Sequence, residues 1–278
     1  MGKLFNTIKD IISTFNPVQT FFLITMVGLF VFWKETSRSR KNNSSVFDIF
    51  IISSFMGILI GRVSYIITMW SDFSKVIWYW LPYEKYLDKV YLFRLLPWKF
   101  FAIWDGGVDV LLTFVGIILT QSIIVLFYKK WRWSNLFPAI YLSSWLMLGL
   151  AFLMIGIQGN NDTWLKQGWQ IVLPFFAFLL IQAILMKLYD GKRKEQVRMI
   201  FQAIFAIVAM ASILYVYLSS TLNVMSIIGL VILGIWFVWA IVFHILDSKK
   251  ESNLTIETLS SVRHISLPEV KKPIRLVR

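Results

Sequence analysis

Two carboxylates stand at the mouth of a long apolar run. In "FAIWDGGVDVLLTFVG" Asp105 and Asp109 flank Gly106 and Gly107, and the run continues to Tyr128. Residues four apart share a face wherever a helix already includes both. An unpaired carboxylate at the edge of hydrocarbon is costly, so such a group is kept wet, paired inside a bundle, or used. A partner exists in "GILIGRVSY", where Arg62 precedes Tyr65 by three residues on a shared helical face. Arg62 lies about 12 Å along a helix from Trp70, a depth at which arginine faces a bundle interior or a wet cavity, with snorkelling to the interface as the alternative. The plainer reading has Asp105 capping a helix beside a Gly-Gly turn, with Asp109 deeper and ion-paired or functional.

The elements that hold these residues follow from composition. The chain has 278 residues, 58% of them hydrophobic, with a mean hydropathy of +0.68, too apolar for a soluble domain of this length. Seven stretches, near 15–33, 46–70, 107–128, 136–157, 169–189, 197–218 and 224–246, are long enough to cross hydrocarbon as helices. Lipid leaves open sheet edges unsatisfied, so the expectation is an all-α polytopic membrane protein. The net charge of +13 is sorted by loop rather than gathered as a nucleic-acid surface. Lys34, Arg38, Arg40 and Lys41 follow span one; Lys129, Lys130 and Arg132 follow span three; Lys192, Arg193, Lys194 and Arg198 follow span five; Lys249, Lys250, Lys271, Lys272, Arg275 and Arg278 follow span seven. The opposite loops carry mixed charge or little, which predicts the N-terminus outside and the C-terminus in the cytoplasm.

Several chemistries are excluded or unsupported. The chain has no cysteine, so disulfides, thiolate metal sites and a cysteine nucleophile are ruled out. Its two histidines, His244 near the end of span seven and His264 in the tail, read as structural or solvated groups and are too few for a zinc site. No phosphate-cradling loop, dinucleotide fingerprint or lipase elbow is present, and no cofactor is implied.

Residues 1–14, with Leu4, Phe5, Ile8, Ile11 and Ile12 at helical spacing, read as an interfacial amphipathic helix. The seven-helix domain spans 15–247. Its outer segment 71–106, rich in Trp and Tyr, reads as arms lying in the headgroup layer. Residues 248–278 form a basic tail, expected to be disordered or held on the cytoplasmic membrane surface. Span two carries Ser53, Gly57, Gly61 and Ser64 three or four apart, a stripe that lets a neighbouring backbone come close.

Taken together, "GILIGRVSY", the long aromatic arm and "YLFRLLPWKFFAIWDGGVDVLLTFVG" resemble the prolipoprotein diacylglyceryl transferases of bacteria. The likeness touches most of the chain, but its tight matches are Gly61-Arg62 with Tyr65, and Ile103-Trp104 with Gly106-Gly107. It implies transfer of a diacylglyceryl group from phosphatidylglycerol to the cysteine thiol of a lipoprotein precursor, at the outer side of the bacterial cytoplasmic membrane. On that reading Arg62, Asp109 and Asp105 are the catalytic candidates. Gly61, Arg62, Tyr65, Trp104, Gly106 and Gly107 line the lipid. The chain departs from the family pattern where Leu111 stands in place of a histidine, where span four is apolar until Gln158, and where the stretch between spans six and seven shortens to "YLSSTLN". A non-catalytic lipid-binding relative or membrane-complex partner is therefore the alternative, followed by a small-solute transporter.

Overall fold

The structure is a computed structural model; it describes residues 9–37, 43–74, 83–95, 97–104, 107–189, 191–219 and 223–264. Among these, seven helices are long and apolar enough to cross a membrane: Pro17–Ser37, Ser45–Thr68, Val110–Tyr128, Leu136–Gln158, Asp162–Leu188, Ile200–Leu218 and Val224–Asp247. The helices that carry them are named α1 (Pro17–Ser37), α2 (Asn43–Thr68), α4 (Val110–Ile123), α5 (Trp133–Gln158), α6 (Asp162–Leu188), α7 (Gly191–Leu218) and α8 (Val224–His264), with a short α3 (Trp70–Ser74) after α2. At its far end α4 widens into a π-helical turn over Ile124–Tyr128, closed by the Lys129 N–H donating to the Ile124 carbonyl at 2.8 Å.

Helix α5 is the centre of the bundle. It packs against α1, α4, α6, α7 and α8, and Leu136, Phe137, Ala139, Ile140, Leu142 and Met147 are fully buried. A helix that is apolar all round has no preferred wet face, and it goes to the interior. The outer spans α1, α6 and α8 leave Phe22, Phe30, Leu180 and Ile235 exposed, as lipid-facing surfaces must. Small residues set the closest approaches. A Cβ at Gly156 would lie 2.6 Å from the Leu165 backbone nitrogen, and one at Gly168 2.7 Å from the Leu153 nitrogen, so α5 and α6 form a tight hairpin. Its turn is closed by Asn161, whose side chain accepts from the Thr163 and Trp164 N–H groups, an N-cap for α6.

The N-terminal segment, described from residue 9, is helical over 9–13. It is tied to the α5–α6 turn by Lys9 Nζ donating to Asn160 Oδ1 at 2.8 Å, and by Gln158 Nε2 donating to the Phe15 carbonyl at 3.1 Å and to the Thr20 hydroxyl at 2.6 Å.

Two expectations need amendment. The fold is mostly helical rather than all-α, because the aromatic arm contains an antiparallel hairpin, β1 (Tyr83–Tyr86) and β2 (Lys89–Leu92), in register Tyr83 to Leu92. The hairpin is exposed, with Tyr83, Tyr86, Val90 and Leu92 at its surface, and lies in the connection between α2 and α4 rather than in a spanning helix. The tail also differs: α8 continues from Asp247 to His264, 41 residues or about 60 Å in all. The stretch after Asp247 lacks Pro and Gly and contains Lys, Glu and Leu, which sustain a helix without an apolar stripe. The remainder of the expected tail, 265–278, lies outside the described residues.

Candidate functional site

The stripe in α2 is a packing seam, and it places Arg62. A Cβ at Gly57 would come 2.7 Å from the Thr113 carbonyl oxygen, one at Gly116 3.0 Å from the Gly57 Cα, and one at Gly61 would fall on the Thr113 hydroxyl and lie 2.8 Å from the Asp109 carbonyl oxygen. Helices α2 and α4 thus meet backbone to backbone, the approach that small-residue stripes permit. At the top of the seam the Asp109 N–H donates to the Gly61 carbonyl at 3.0 Å. The two motifs that the sequence set apart, around 61–65 and 103–109, are neighbours in space.

Arg62, only 3% exposed, faces the arm. Its Nε donates to the Phe100 carbonyl at 3.0 Å, Nη1 to the Gly107 carbonyl at 2.6 Å, and Nη2 to the Lys99 carbonyl at 2.6 Å. The planar fork that suits phosphate also suits three carbonyls converging from one loop. An aromatic box completes the setting. The guanidinium carbon lies 5.5 Å from the Tyr65 ring centre and 5.4 Å from that of Phe73. Phe73 packs edge-on against Tyr65, stacks on Phe100, and carries Lys99 Nζ at 4.7 Å over its ring. Cations over ring faces are attracted by the ring quadrupole.

Asp109 occupies the N-cap of α4, not an interior turn. Its φ and ψ of −71° and 115° are extended, and its carboxylate accepts from the Leu112 N–H at 2.9 Å. Its carbonyl accepts from the Thr113 hydroxyl at 2.7 Å. The helix begins at Val110, so Asp109 stands just before it and caps it. The physical reason is that an Asp immediately before an uninterrupted apolar run meets the free N–H groups of the first turn. Asp105 and Gly106 lie outside the described residues.

The remaining candidates divide. Gly107 has φ +92°, with open space where a side chain would stand, a backbone that favours glycine. Trp104 is 47% exposed and packs edge-on to Phe93 at 5.9 Å; it faces outward, away from the Arg62 clamp, while Ala102 beside it is fully buried. Three participants were not singled out from sequence: Phe73, Phe100 and Tyr217. Tyr217 of α7 is buried and within electrostatic reach of the Asp109 carboxylate. An aromatic just past a span, as Phe73 is, gives no local signal that separates it from the other interfacial rings.

His244 is 2% exposed, packed on Phe137 at 5.0 Å between ring centres, and neither of its nitrogens has a hydrogen-bond partner among the described residues. The described residues contain no group of three or more acids and histidines that could hold a metal ion.

These features define a class: a mostly helical protein with the composition of a multi-pass membrane protein, seven apolar helices, and a connection between α2 and α4 gripped by a buried arginine. Compared with family models, curated proteins and solved structures, the chain matches none.

Proposed function

We propose that this chain is a phospholipid-engaging, non-catalytic relative of the diacylglyceryl transferases, inserted in a bacterial cytoplasmic membrane with its basic loops and C-terminus inward. The observation that carries this reading is the use of Arg62: three of its donors bind backbone carbonyls of the arm, while the Asp109 carboxylate binds the Leu112 N–H. A donor that stabilises a leaving phosphate must be preorganised toward the reacting group. Here the arginine instead holds the aromatic arm over the end of the bundle, with Trp104 and Phe101 turned outward at 47% and 64% exposure. Such rings suit the headgroup layer, and phosphatidylglycerol is the lipid the resemblance supplies.

One observation favours the transferase reading as second. The Gly61–Arg62–Tyr65 segment and the Gly107–Asp109 segment do converge, as a shared site for phosphatidylglycerol and a lipoprotein precursor would require. Complementation of a strain depleted of its own diacylglyceryl transferase separates the two. Our reading expects no thioether-linked lipid on a reporter lipoprotein by mass spectrometry, and phosphatidylglycerol bound to the purified protein. Modified reporter above background would overturn it in favour of the transferase.

A further inference from the structure

A second polar site lies at the other end of the bundle. A cavity of about 480 Å³ opens between α1 and α6, floored by Leu142 of α5 and closed at one end by Arg198 of α7. Phe32 of α1 packs on Phe50 of α2 at 5.4 Å, which sets the two helices side by side. Arg62 is 12 residues beyond Phe50, about 18 Å along α2, whereas the polar residues of the cavity lie at or past Phe32 on α1 in the opposite direction. The site is therefore independent of the arm, and nothing in it rests on the function proposed above.

Its lining is graded. Phe30, Phe175 and Leu179 make one part apolar, while Lys34, Glu35, Gln182 and Arg198 gather at the other. Phe30 and Leu179 are 57% and 36% exposed, so the apolar part faces the hydrocarbon beside the span. Gln182 is 5% exposed, and its amide Nε2 has no hydrogen-bond acceptor among the described residues, an arrangement costly in an apolar setting unless an acceptor is supplied. Lys34 and Arg198 against Glu35 leave the polar end net positive among the described residues, and the buried Gln182 amide lines the same cavity. The volume falls within the range of ligand sites, roughly 300–1,000 Å³.

We infer that this groove binds a membrane phospholipid from the leaflet at the basic end of the bundle, one acyl chain lying along Phe30, Phe175 and Leu179 and its phosphate received by Lys34, Gln182 and Arg198. A free anion would satisfy the donors but would leave the apolar, lipid-facing part of the groove without use. An uncharged hydrocarbon would do the reverse. A phospholipid meets both ends, and its chain enters sideways from the bilayer without crossing the bundle.

The test is native mass spectrometry of the purified full-length protein titrated with dioleoylphosphatidylglycerol, with dioleoylglycerol, which lacks the phosphate, and with inorganic phosphate. Two variants address the two ends: Arg198→Gln removes a charged donor, and Leu179→Trp fills the apolar part while leaving every polar group in place. Val231→Ala, at an exposed position of α8 that lines neither the cavity nor the Arg62 region, serves as a control. The expected result is one tightly held phosphatidylglycerol per chain, at least about tenfold weaker binding of dioleoylglycerol, and a loss of about tenfold or more in both groove variants, the size expected for one charge-assisted hydrogen bond. Val231→Ala should leave that lipid in place. The inference is overturned if Leu179→Trp, folded by its melting profile, holds the lipid as wild type does, if dioleoylglycerol binds equally, or if inorganic phosphate displaces the lipid at comparable concentration. Loss of the lipid in Arg62→Met with both groove variants unaffected would assign it to the arm instead.

Discussion

Replacing Arg62 by Met keeps the length and apolar stem of the side chain and removes all its donors. The carbonyls of Lys99, Phe100 and Gly107 then lose their partners, and the guanidinium leaves the Tyr65 and Phe73 rings. Hydrogen bonds from a charged donor contribute about 1.5–3 kcal/mol each. The carbonyls lie in a loop that water can reach once it loosens, so the closing free energy of the arm should fall by about 3 kcal/mol rather than by the full combined value. At 1.4 kcal/mol per tenfold, that is an increase of about 100-fold in the open population. Hydrogen exchange in nanodiscs reads this directly, because opening exposes amides that are otherwise bonded. The reporters are the N–H groups of Lys99, Phe100, Phe101, Ile103 and Asp109, which donate to Leu95, Pro97, Trp98, Phe101 and Gly61. Peptides covering 97–109 should exchange about 100-fold faster, while peptides from α5 and α6 keep their wild-type rates. Arg62→Lys should recover only part of the protection, since one ammonium cannot reach three carbonyls in the fork geometry. Unchanged exchange over 97–109 would refute the clamp, and uniform acceleration across all helices would make Arg62 a determinant of the whole fold instead.

Further outcomes follow from the same geometry. Gly61→Ala should destabilise the protein by about 1–3 kcal/mol through overpacking, lowering the detergent melting temperature, and Gly61→Ala with Thr113→Ala should recover only part, because the Asp109 carbonyl stays in the way. Asp109→Ala should cost about 1 kcal/mol as a lost N-cap, whereas Asp109→Asn should cost little, since Asn caps as well as Asp; equal losses in thermal melts would mean that the negative charge matters beyond the cap. Gln121 is fully buried with neither amide atom bonded to a described residue, so Gln121→Leu should be neutral or raise the melting temperature, and a marked drop would show that the amide has a partner. Fusion reporters should place the end of α8 in the cytoplasm and the hairpin at 83–92 outside; the reverse result would overturn the orientation and the family reading with it.

Much of the architecture was legible because the governing quantity is summed over long windows. Seven spans emerge, six of them within about four residues of their expected bounds and the fifth starting seven residues early, since each needs about 20 apolar residues and no neighbour can supply them. The Ser53, Gly57, Gly61 and Ser64 stripe was legible for a similar reason: helical period fixes which residues share a face, and small ones can serve only where something comes close. The hairpin in the arm was not, because four-residue strands among interfacial aromatics carry no periodicity that distinguishes them from a membrane-lying loop. Nor was the helical extension to His264, where propensity alone, without an apolar stripe, continues the helix.

The site divides along the same line. Sequence alone determined that Arg62, Tyr65, Gly107 and Asp109 stand at the mouths of spans two and three, because chain position relative to the apolar windows fixes their depth. What each group does was decided only by tertiary structure. An arginine near the edge of a bundle can grip phosphate or carbonyls, and it is the placing of Lys99, Phe100 and Gly107 beside α2 that supplies three carbonyls to Arg62. Asp109 becomes a cap because α4 starts one residue later, leaving the Leu112 N–H within reach of its carboxylate. The groove at the opposite end has the same origin. Glu35, Gln182 and Arg198 are separated by more than a hundred residues between the first and the others, and only the packing of α1 and α6 on α5, beside α7, gathers them around one cavity.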